Sequence, residues 1–187
     1  MDGEEVRHYY SKPSVVEHYR KAALRVGLWR SETILINKYF SETTHLLELG
    51  CGAGRIAIGL WKLGWRNLVA IDYSADMIEA ARKSARMLKY PIDLRVGDAL
   101  DLEFEDASFG GAIFGFNGLM QIPKRANRLR AMSEIYRVLQ PGSYFLFTSH
   151  DRSNPKNRKY WKQEAKRWQK GTQQPELDEF GDIYRMT

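Results

Sequence analysis

The sequence predicts an α/β protein with a doubly wound, mostly parallel sheet and helices on both faces. Two observations predict this fold class. Short apolar runs alternate with longer segments of helical periodicity, and most of these segments end at glycine or proline. The chain of 187 residues is 43% hydrophobic and 28% charged, which suits one globular domain. Strands that alternate with helices imply right-handed crossovers and therefore a parallel sheet.

Two helices are predicted ahead of the first strand. KPSVVEHYRKAALRVG places Pro13 in a first turn and Gly27 after the helix end. RSETILINKYF has Ser31 as its expected N-cap. We divide the chain into a helical cap, a core and a basic helical insertion or lid, at residues 1–40, 41–151 and 152–187.

Five strands and three connecting helices are predicted in the core. The strands lie in HLLELG, NLVAID, IDLRVGDA, SFGGAIFGFNG and SYFLFTSH. The helices lie in GRIAIGLWKLG, SADMIEAARKSARMLKY and KRANRLRAMSEIYRVLQPG, and Pro141 and Gly142 are expected to close the last of them. GDIYRMT at the end of the sequence predicts the start of a sixth strand.

The net charge of +6 is concentrated in one segment. Residues 151–170 hold eight Lys/Arg and two Asp/Glu, with Tyr160, Trp161 and Trp168 interleaved. Such a segment either meets nucleic acid or an anionic substrate, or is a solvated helix whose tryptophans pack on the body. We favour the solvated helix.

The composition argues against several classes of site. The single cysteine, Cys51, excludes an internal disulfide and is typical of a cytoplasmic protein. The four histidines are scattered, so no metal site is expected. The sequence shows neither a secretory signal nor an apolar run of membrane-helix length, so no membrane partner is expected.

Three glycines on alternate positions mark the turn between the first predicted strand and the next helix. Gly50, Gly52 and Gly54 permit positive φ and a close approach of backbone to ligand. The turn lies at the carboxyl end of a parallel strand, where ligands bind in such sheets. Asp72 closes the second strand, where a carboxylate accepts hydrogen bonds from both hydroxyls of a ribose. The turn and the acid together predict a nucleoside-ligand site.

The neighbouring residues indicate a cationic nucleoside rather than a dinucleotide. The dinucleotide pattern G-x-G-x-x-G has a third glycine where this chain has Arg55. Glu48, at the end of the first strand, would repel a pyrophosphate and suits a cationic group. Asp98 ends the third strand and is placed to accept from an adenine amino group.

Four motifs carry a family resemblance over about residues 45–151. LLELGCGAGRIAIGL, VAIDYSADMIEAAR, VGDALDLEF and RAMSEIYRVLQPGSYFLFTSHD occur in this order. In these motifs the chain resembles the class I S-adenosylmethionine-dependent methyltransferases, especially those that act on small molecules. The resemblance implies a Rossmann-like fold and S-adenosyl-L-methionine as the cofactor.

The resemblance also implies cofactor-binding residues. The methionine part would be held by the first strand end, the glycine turn and the segment after the fourth strand: Glu48, Gly50, Cys51, Gly52, Gly54, Phe116 and Asn117. The nucleoside would be held by the ends of the second and third strands: Asp72, Tyr73, Met77, Asp98 and Ala99. Tyr10 and Tyr19 match an N-terminal aromatic element that folds over the cofactor in such families.

These assignments have purely structural alternatives: Glu48 would merely cap the glycine turn, and Asp98 would be a turn residue. Asp72 would instead N-cap the next helix, although Ser74 is better placed for that role. Asn117 precedes a glycine, a common turn pair. Cys51 is expected to pack rather than to act as a nucleophile, and the N-terminal tyrosines are equally consistent with core aromatics.

Methyl transfer by in-line displacement depends mainly on alignment and exclusion of water. His150, after the fifth strand, and the N-terminal tyrosines are the candidate bases, although a plain loop histidine is the favoured interpretation of His150. NGLM after the fourth strand differs from the Asn/Asp-Pro-Pro-aromatic motif of relatives that methylate exocyclic amines, so a small-molecule acceptor is predicted. An RNA methyltransferase using residues 151–170 and a non-catalytic cofactor-binding protein are the alternatives.

The end of the sequence departs from the family pattern. The family sheet usually has seven strands, and the last two form a hairpin beside the fifth. The sequence ends where the sixth would begin, so we expect this hairpin to be missing, through truncation or because a partner completes the sheet. An unprotected strand edge pairs readily with another chain. We therefore predict a homodimer formed through the edge of the fifth strand.

Overall fold

The computed structural model describes residues 3–151, 153–174, 177 and 180. The helices are α1 (Gly3–Tyr10), α2 (Pro13–Arg25), α3 (Arg30–Tyr39), α4 (Arg55–Lys62), α5 (Ala75–Leu88), α6 (Arg125–Val138) and α7 (Arg158–Lys170). The strands are β1 (Leu46–Leu49), β2 (Leu68–Asp72), β3 (Asp93–Val96), β4 (Phe109–Phe114) and β5 (Leu139–Phe147). Short 3₁₀ turns occupy Gly118–Gln121 and Pro155–Asn157.

The five strands form one parallel sheet in the order β3-β2-β1-β4-β5. Successive side chains of a strand point to opposite faces, and both faces of this sheet are covered. Leu46 packs in one core with Ile56 of α4, whereas its neighbour Leu47 packs in the other with Ile135 of α6. The predicted doubly wound α/β fold is confirmed.

One predicted helix end is wrong. The helix before β5 ends at Val138, and Pro141 and Gly142 lie inside β5 instead of closing the helix. The pairing of β5 with β4 shifts register across this dipeptide, and Gly142 adopts a φ of 82°. The dipeptide therefore forms a bulge, where a proline is tolerated because the ladder is already interrupted.

The N-terminal helices also differ from the prediction. Helix α1 was not predicted, and it contains no buried residue from which an apolar period could arise. Ser31 is not the N-cap of α3, which begins at Arg30. The Glu32 carboxylate instead accepts a hydrogen bond from the Trp29 N–H at 2.8 Å and caps the helix start.

The basic helix α7 has two contrasting faces. Trp161 and Trp168 contact the ring of Phe180, at centroid distances of 6.2 and 6.4 Å, and Glu164 between them is buried and paired with Arg167. The opposite face carries four exposed lysines at helical spacing: Lys159, Lys162, Lys166 and Lys170. The tryptophans thus pack on the segment that follows the helix.

Strand β5 is the outer strand of the described sheet. Tyr144 and Phe147 on it are about half exposed. The predicted sixth strand in GDIYRMT lies outside the described residues. Within the described ranges, no helix has the length and apolar character needed to cross a lipid bilayer.

Gly111 lies where β1 and β4 pack closely, and we expect Gly111→Ala to destabilise the fold. A Cβ there would lie 2.3 Å from Phe40 Cε1 and 2.8 Å from Leu46 Cδ2. Overpacking of this kind costs about 1–3 kcal/mol, and the midpoint of urea unfolding measures it. Gly3→Ala is the matched control because no atom of the described part of the chain, its two chain neighbours and the backbone of its own helix aside, lies within 4 Å of its added Cβ. Equal midpoints for the two variants would contradict the prediction.

Candidate active site

A cavity of about 350 Å³ opens at the carboxyl edge of the sheet, with α1 and α2 on its other side. A parallel sheet brings the ends of neighbouring strands to one edge, so the acids and glycines predicted from separate motifs meet there. The predicted cofactor-binding residues that line it are Tyr10, Tyr19, Glu48, Gly50, Cys51, Gly52, Asp72, Tyr73, Met77, Asp98, Ala99 and Phe116.

Three predicted site residues do not line this cavity. Gly54 starts α4 with a φ of 85°, and a Cβ there would lie 3.2 Å from Ala81 Cβ, so the residue permits close packing of α4 on α5. Asn117 adopts a φ of 60° and donates its backbone N–H to Thr148 Oγ1 at 2.6 Å. His150 is exposed beyond the end of β5. These three residues lie outside the cavity lining, and their assignment to the site stays a prediction.

The glycine turn is tied directly to the end of β2. Gly50 has a φ of 58°, and a Cβ there would lie 2.4 Å from Phe114 Cε2. The N–H of Gly52 donates to Asp72 Oδ2 at 2.7 Å, and the N–H of Ser74 donates to Asp72 Oδ1 at 2.9 Å. Burial raises the pKa of the Asp72 carboxyl, and these two N–H groups oppose that rise.

Ser74, not Asp72, is the N-cap of α5. Its hydroxyl accepts a hydrogen bond from the Met77 N–H at 3.3 Å. This agrees with the better placement expected for Ser74 and leaves the Asp72 carboxylate facing the glycine turn and the cavity.

Glu48 is a buried acid with an unsatisfied oxygen. Its side chain is 2% exposed, and Oε2 has no hydrogen-bond partner among the described residues. Burial raises the pKa of the Glu48 carboxyl to about 8, although the Arg55 guanidinium and the backbone N–H of Ala57 oppose the rise. Such a group is costly unless a ligand supplies a cation or a donor.

The third strand end closes the cavity at its far side. Asp98 Oδ1 accepts a hydrogen bond from the Leu100 N–H at 2.8 Å, which fixes the carboxylate at the cavity wall. The Arg7 guanidinium of α1 lies 5.0 Å from the ring centroid of Tyr73, which follows β2. Helix α1 therefore covers the β2–β3 end of the cavity.

A row of aromatic rings in mutual contact covers the side of the cavity opposite the third strand end. Tyr10 contacts Tyr19, Tyr19 contacts Phe116, and Phe116 contacts Trp29, at centroid distances of 5.8, 6.2 and 5.5 Å. Burial raises the pKa of both tyrosine hydroxyls, so they stay neutral and are poor candidates for the predicted base.

Arg55 is a site residue whose role the sequence did not predict. Its guanidinium forms two hydrogen bonds with the Glu32 carboxylate, at 2.6 and 2.7 Å, and a third with the Gly27 carbonyl oxygen at 2.8 Å. It also lies over the rings of Trp29 and Phe116, 4.9 and 5.7 Å from their centroids. Its position in place of a third glycine was the only sequence signal, and it revealed neither partner.

These contacts fasten α2 across the cavity at both ends. At its C-terminal end, Arg55 holds the Gly27 carbonyl. At its N-terminal end, the hydroxyls of Ser11 and Ser74 lie 3.3 Å apart, within hydrogen-bond distance. Between these points the side chains of His18, Tyr19 and Ala22 line the cavity. Helix α2 is therefore a docked cover.

The sequence profile of the methyltransferase domain family matches residues 47–147, the part of the chain that carries the glycine turn and all three strand-end acids. The chain belongs to this methyltransferase-domain family. Within the described part of the chain, no group of three or more His, Cys, Asp or Glu side chains is placed to hold a metal ion.

Related sequences include methyltransferases of quinones. The chain is 34% identical over 119 residues to the demethylmenaquinone methyltransferase of Lactiplantibacillus plantarum, covering 62% of this chain and 48% of the relative. It is 38% identical over 116 residues to the chloroplastic 2-phytyl-1,4-beta-naphthoquinone methyltransferase of Arabidopsis thaliana, covering 59% and 43%. The chain thus spans about half the length of these curated relatives.

Solved structures of similar fold include a SAM-dependent methyltransferase of Methanosarcina mazei, with a TM-score of 0.61 and 27% identity over 73% of this chain and 66% of that one. A SAM-dependent methyltransferase of Thermotoga maritima, described as a possible histamine N-methyltransferase, has the same TM-score and 25% identity over 85% and 69%. Both share their fold with most of this methyltransferase-domain chain.

Proposed function

We propose that this chain binds S-adenosyl-L-methionine and transfers its methyl group to a small-molecule acceptor by direct in-line displacement. The observation that carries this proposal is that Glu48, Asp72 and Asp98 line one cavity beside the glycine turn. A cofactor with a sulfonium, an ammonium group and no phosphate suits three acids, whereas a pyrophosphate would be repelled. Membership of the methyltransferase-domain family supports the same activity.

The residues at the cavity fit this cofactor. The unpartnered Glu48 Oε2 is suited to the ammonium group. Gly50 and Gly52 allow the cofactor to approach the backbone closely. Both Asp72 oxygens accept one N–H each and keep lone pairs for ribose hydroxyls.

The bound cofactor supplies an electrophilic methyl group. The chain aligns the acceptor with this group and excludes water from the site. Helices α1 and α2 and the segment that joins α2 to α3, within the proposed cap of residues 1–40, exclude water from one side of the cavity. Tyr10 and Tyr19 remain protonated and orient groups by hydrogen bonding. Because both hydroxyls stay protonated, neither tyrosine takes the proton that the acceptor loses.

Calorimetry with three ligands tests this proposal. We expect S-adenosylmethionine and S-adenosylhomocysteine to bind and NAD to bind far more weakly. A preference for NAD would overturn the proposal. Binding of S-adenosylmethionine without product formation from any metabolite pool would instead favour a non-catalytic cofactor-binding protein.

The names of the curated relatives support a small-molecule acceptor. Both the demethylmenaquinone and the phytyl-naphthoquinone methyltransferases are named for small organic acceptors. Methylation of RNA is the second candidate, and the exposed lysines of α7 are the observation that favours it.

The salt dependence of turnover distinguishes these two acceptor classes. Turnover of a small neutral acceptor is expected to change by less than about twofold between roughly 50 and 200 mM salt. Four lysine–phosphate contacts with single-stranded RNA would instead weaken binding by about 50-fold over that range. A steep loss of turnover with rising salt would therefore favour an RNA acceptor. In that case, substitution of Lys162 and Lys166 by glutamine should make turnover depend less steeply on salt.

We also propose that two copies of the chain associate through β5. This strand pairs with β4 on one side, and its other edge faces outward in the described sheet with Tyr144 and Phe147 half exposed. Sedimentation velocity is expected to show a dimer that dissociates on dilution. Tyr144→Lys should shift the protein to monomer, and a concentration-independent monomer of the parent chain would contradict the proposal.

A further inference from the structure

We infer that the methyl acceptor is an uncharged, planar ring compound that lies against the rings of Trp29 and Phe116. The inference rests on the proposed function and specifies its acceptor site. The strand order β3-β2-β1-β4 places four site residues along the carboxyl edge of the sheet, in the spatial order Asp98, Asp72, Glu48 and Phe116. With the nucleoside at Asp72 and Asp98 and the methionine part at Glu48, the methyl group is presented towards Phe116.

The two rings form an apolar surface at this end of the cavity. The exposed fractions of Trp29 and Phe116 are 43% and 48%, although the rings contact each other. Half-exposed aromatic faces at a cavity wall gain the most from a flat, apolar partner, because offset stacking adds to the burial of area. Among the described residues, Gly118, Gln121 and Asn127 also line this end.

The backbone holds Phe116 in a strained but fixed position. Phe116 and Asn117 both have positive φ, 51° and 60°, which is uncommon for residues other than glycine. The Asn117 N–H is bound by Thr148 Oγ1, and a Cβ at Gly118 would lie 2.3 Å from Phe114 Cε2. Strain of this kind persists where the surrounding structure enforces it, commonly at ligand sites. The strain keeps the Phe116 ring displayed at the cavity.

The charges at this end favour a neutral acceptor. The Arg55 guanidinium is the nearby cation, and it is already paired with Glu32 and bound to the Gly27 carbonyl. Among the residues that the structure describes, an anionic acceptor would therefore meet no uncommitted cation there, and a cationic acceptor would meet the guanidinium. The amides of Gln121 and Asn127 offer neutral hydrogen bonds. The other acidic and basic lining side chains among the described residues lie at the β2–β3 end, on β1 or on α2: Arg7, Asp72, Asp98, Glu48 and His18.

Three bicyclic probes test this acceptor class. Binding of 2-naphthol, 2-naphthoate and decahydro-2-naphthol is measured by calorimetry with the protein saturated with S-adenosylhomocysteine. These probes share one skeleton and differ in charge and planarity. We expect 2-naphthol to bind at least about tenfold more tightly than either of the others. Equal or weaker binding of 2-naphthol would overturn the inference.

Variants of the two rings locate the binding site. Trp29→Leu and Phe116→Leu are each expected to weaken 2-naphthol about three- to tenfold. S-adenosylhomocysteine affinity is measured for each variant alongside, so that an effect on the cofactor through Phe116 is separated from the loss of the acceptor surface. Tyr136→Leu is the matched control, since this aromatic side chain is 84% exposed on α6 and outside the cavity lining. Ring variants that bind 2-naphthol as tightly as the parent would contradict the site.

Removing the Glu32 charge that pairs with the Arg55 guanidinium gives an independent test of the acceptor's charge. Glu32→Gln keeps an acceptor oxygen for the Trp29 N–H but removes the charge that neutralises Arg55. We expect this variant to bind 2-naphthoate several-fold more tightly relative to 2-naphthol. An unchanged preference would contradict the charge argument. If S-adenosylhomocysteine itself fails to bind the parent chain, the proposed function fails, whereas its binding together with weak 2-naphthol binding refutes the acceptor class alone.

Discussion

Asp72→Asn is expected to weaken binding of S-adenosylmethionine by about 100-fold or more. The carboxylate accepts hydrogen bonds from the Gly52 and Ser74 N–H groups and has lone pairs left for the ribose. An asparagine NH₂ would face one of these donors, so the turn would lose its tie to β2. Hydrogen bonds to a charged group contribute about 1.5–3 kcal/mol each, and 1.4 kcal/mol is a factor of ten.

The loss should appear in ligand binding rather than in folding. Burial raises the pKa of Asp72, so an uncharged replacement relieves part of the desolvation cost in the ligand-free protein. Calorimetry measures the affinity, and thermal unfolding by circular dichroism checks the fold. Asp76→Asn is the matched control, because Asp76 is an exposed acid in the first turn of α5. A change in affinity below about threefold for Asp72→Asn would contradict its proposed role.

Glu48→Gln is expected to stabilise the ligand-free protein at high pH and to weaken cofactor binding. The folded-state pKa of Glu48 is raised from 4.5 to about 8. Between these values the folded chain binds more protons than the unfolded chain, so the free energy of unfolding falls as pH rises from about 4.5 through 8. Glutamine mimics the protonated form at every pH. The variant should exceed the parent by only about 1 kcal/mol near pH 5 and by on the order of 5 kcal/mol near pH 9, since each pKa unit corresponds to about 1.4 kcal/mol.

The same substitution removes the charge that the proposed ammonium group needs. Parent affinity for S-adenosylmethionine should rise with pH towards 8, because ionised Glu48 is the form that pairs with a cation. The variant should bind about 10- to 100-fold more weakly at pH 8, with a flat pH profile. Urea unfolding and calorimetry between pH 5 and 9 measure both effects, with exposed Glu79→Gln as the control. A parent protein whose stability rises from pH 5 to 9 relative to Glu48→Gln would refute the assignment.

The core of the fold and much of the candidate site could be predicted because both depend on local patterns. Apolar runs ended by glycine or acid identified β1 and β2, and Ser74 was recognised as the better cap. The acids converge because parallel strands end at one edge. Pro141 misled the prediction, since a proline is a typical helix stop but here lies in a strand bulge.

The remaining parts of the site depend on tertiary contacts that no local pattern encodes. Arg55 and Glu32 are far apart in sequence, and their pairing requires the turn after α2 to reach the start of α4. The exposure of Phe116 likewise depends on Thr148, from beyond β5, which binds the neighbouring N–H. His150 was a candidate because it follows the fifth strand, with a plain loop histidine as the favoured interpretation; its side chain is exposed, and the residue is outside the cavity lining.

The unequal anchors of α2 bear on how a ligand enters. At one end the helix is joined by a single hydroxyl pair, Ser11 and Ser74, and at the other by the charged guanidinium of Arg55. Hydrogen bonds from charged groups are roughly twice as strong as neutral ones. We therefore expect the N-terminal end of α2, held by the serine pair, to separate from the cavity first, while its C-terminal end, held by Arg55, acts as the hinge. Amide hydrogen exchange is then expected to be faster at residues 13–17 than at residues 22–25. The nucleoside would be the first part to leave and the last to be enclosed.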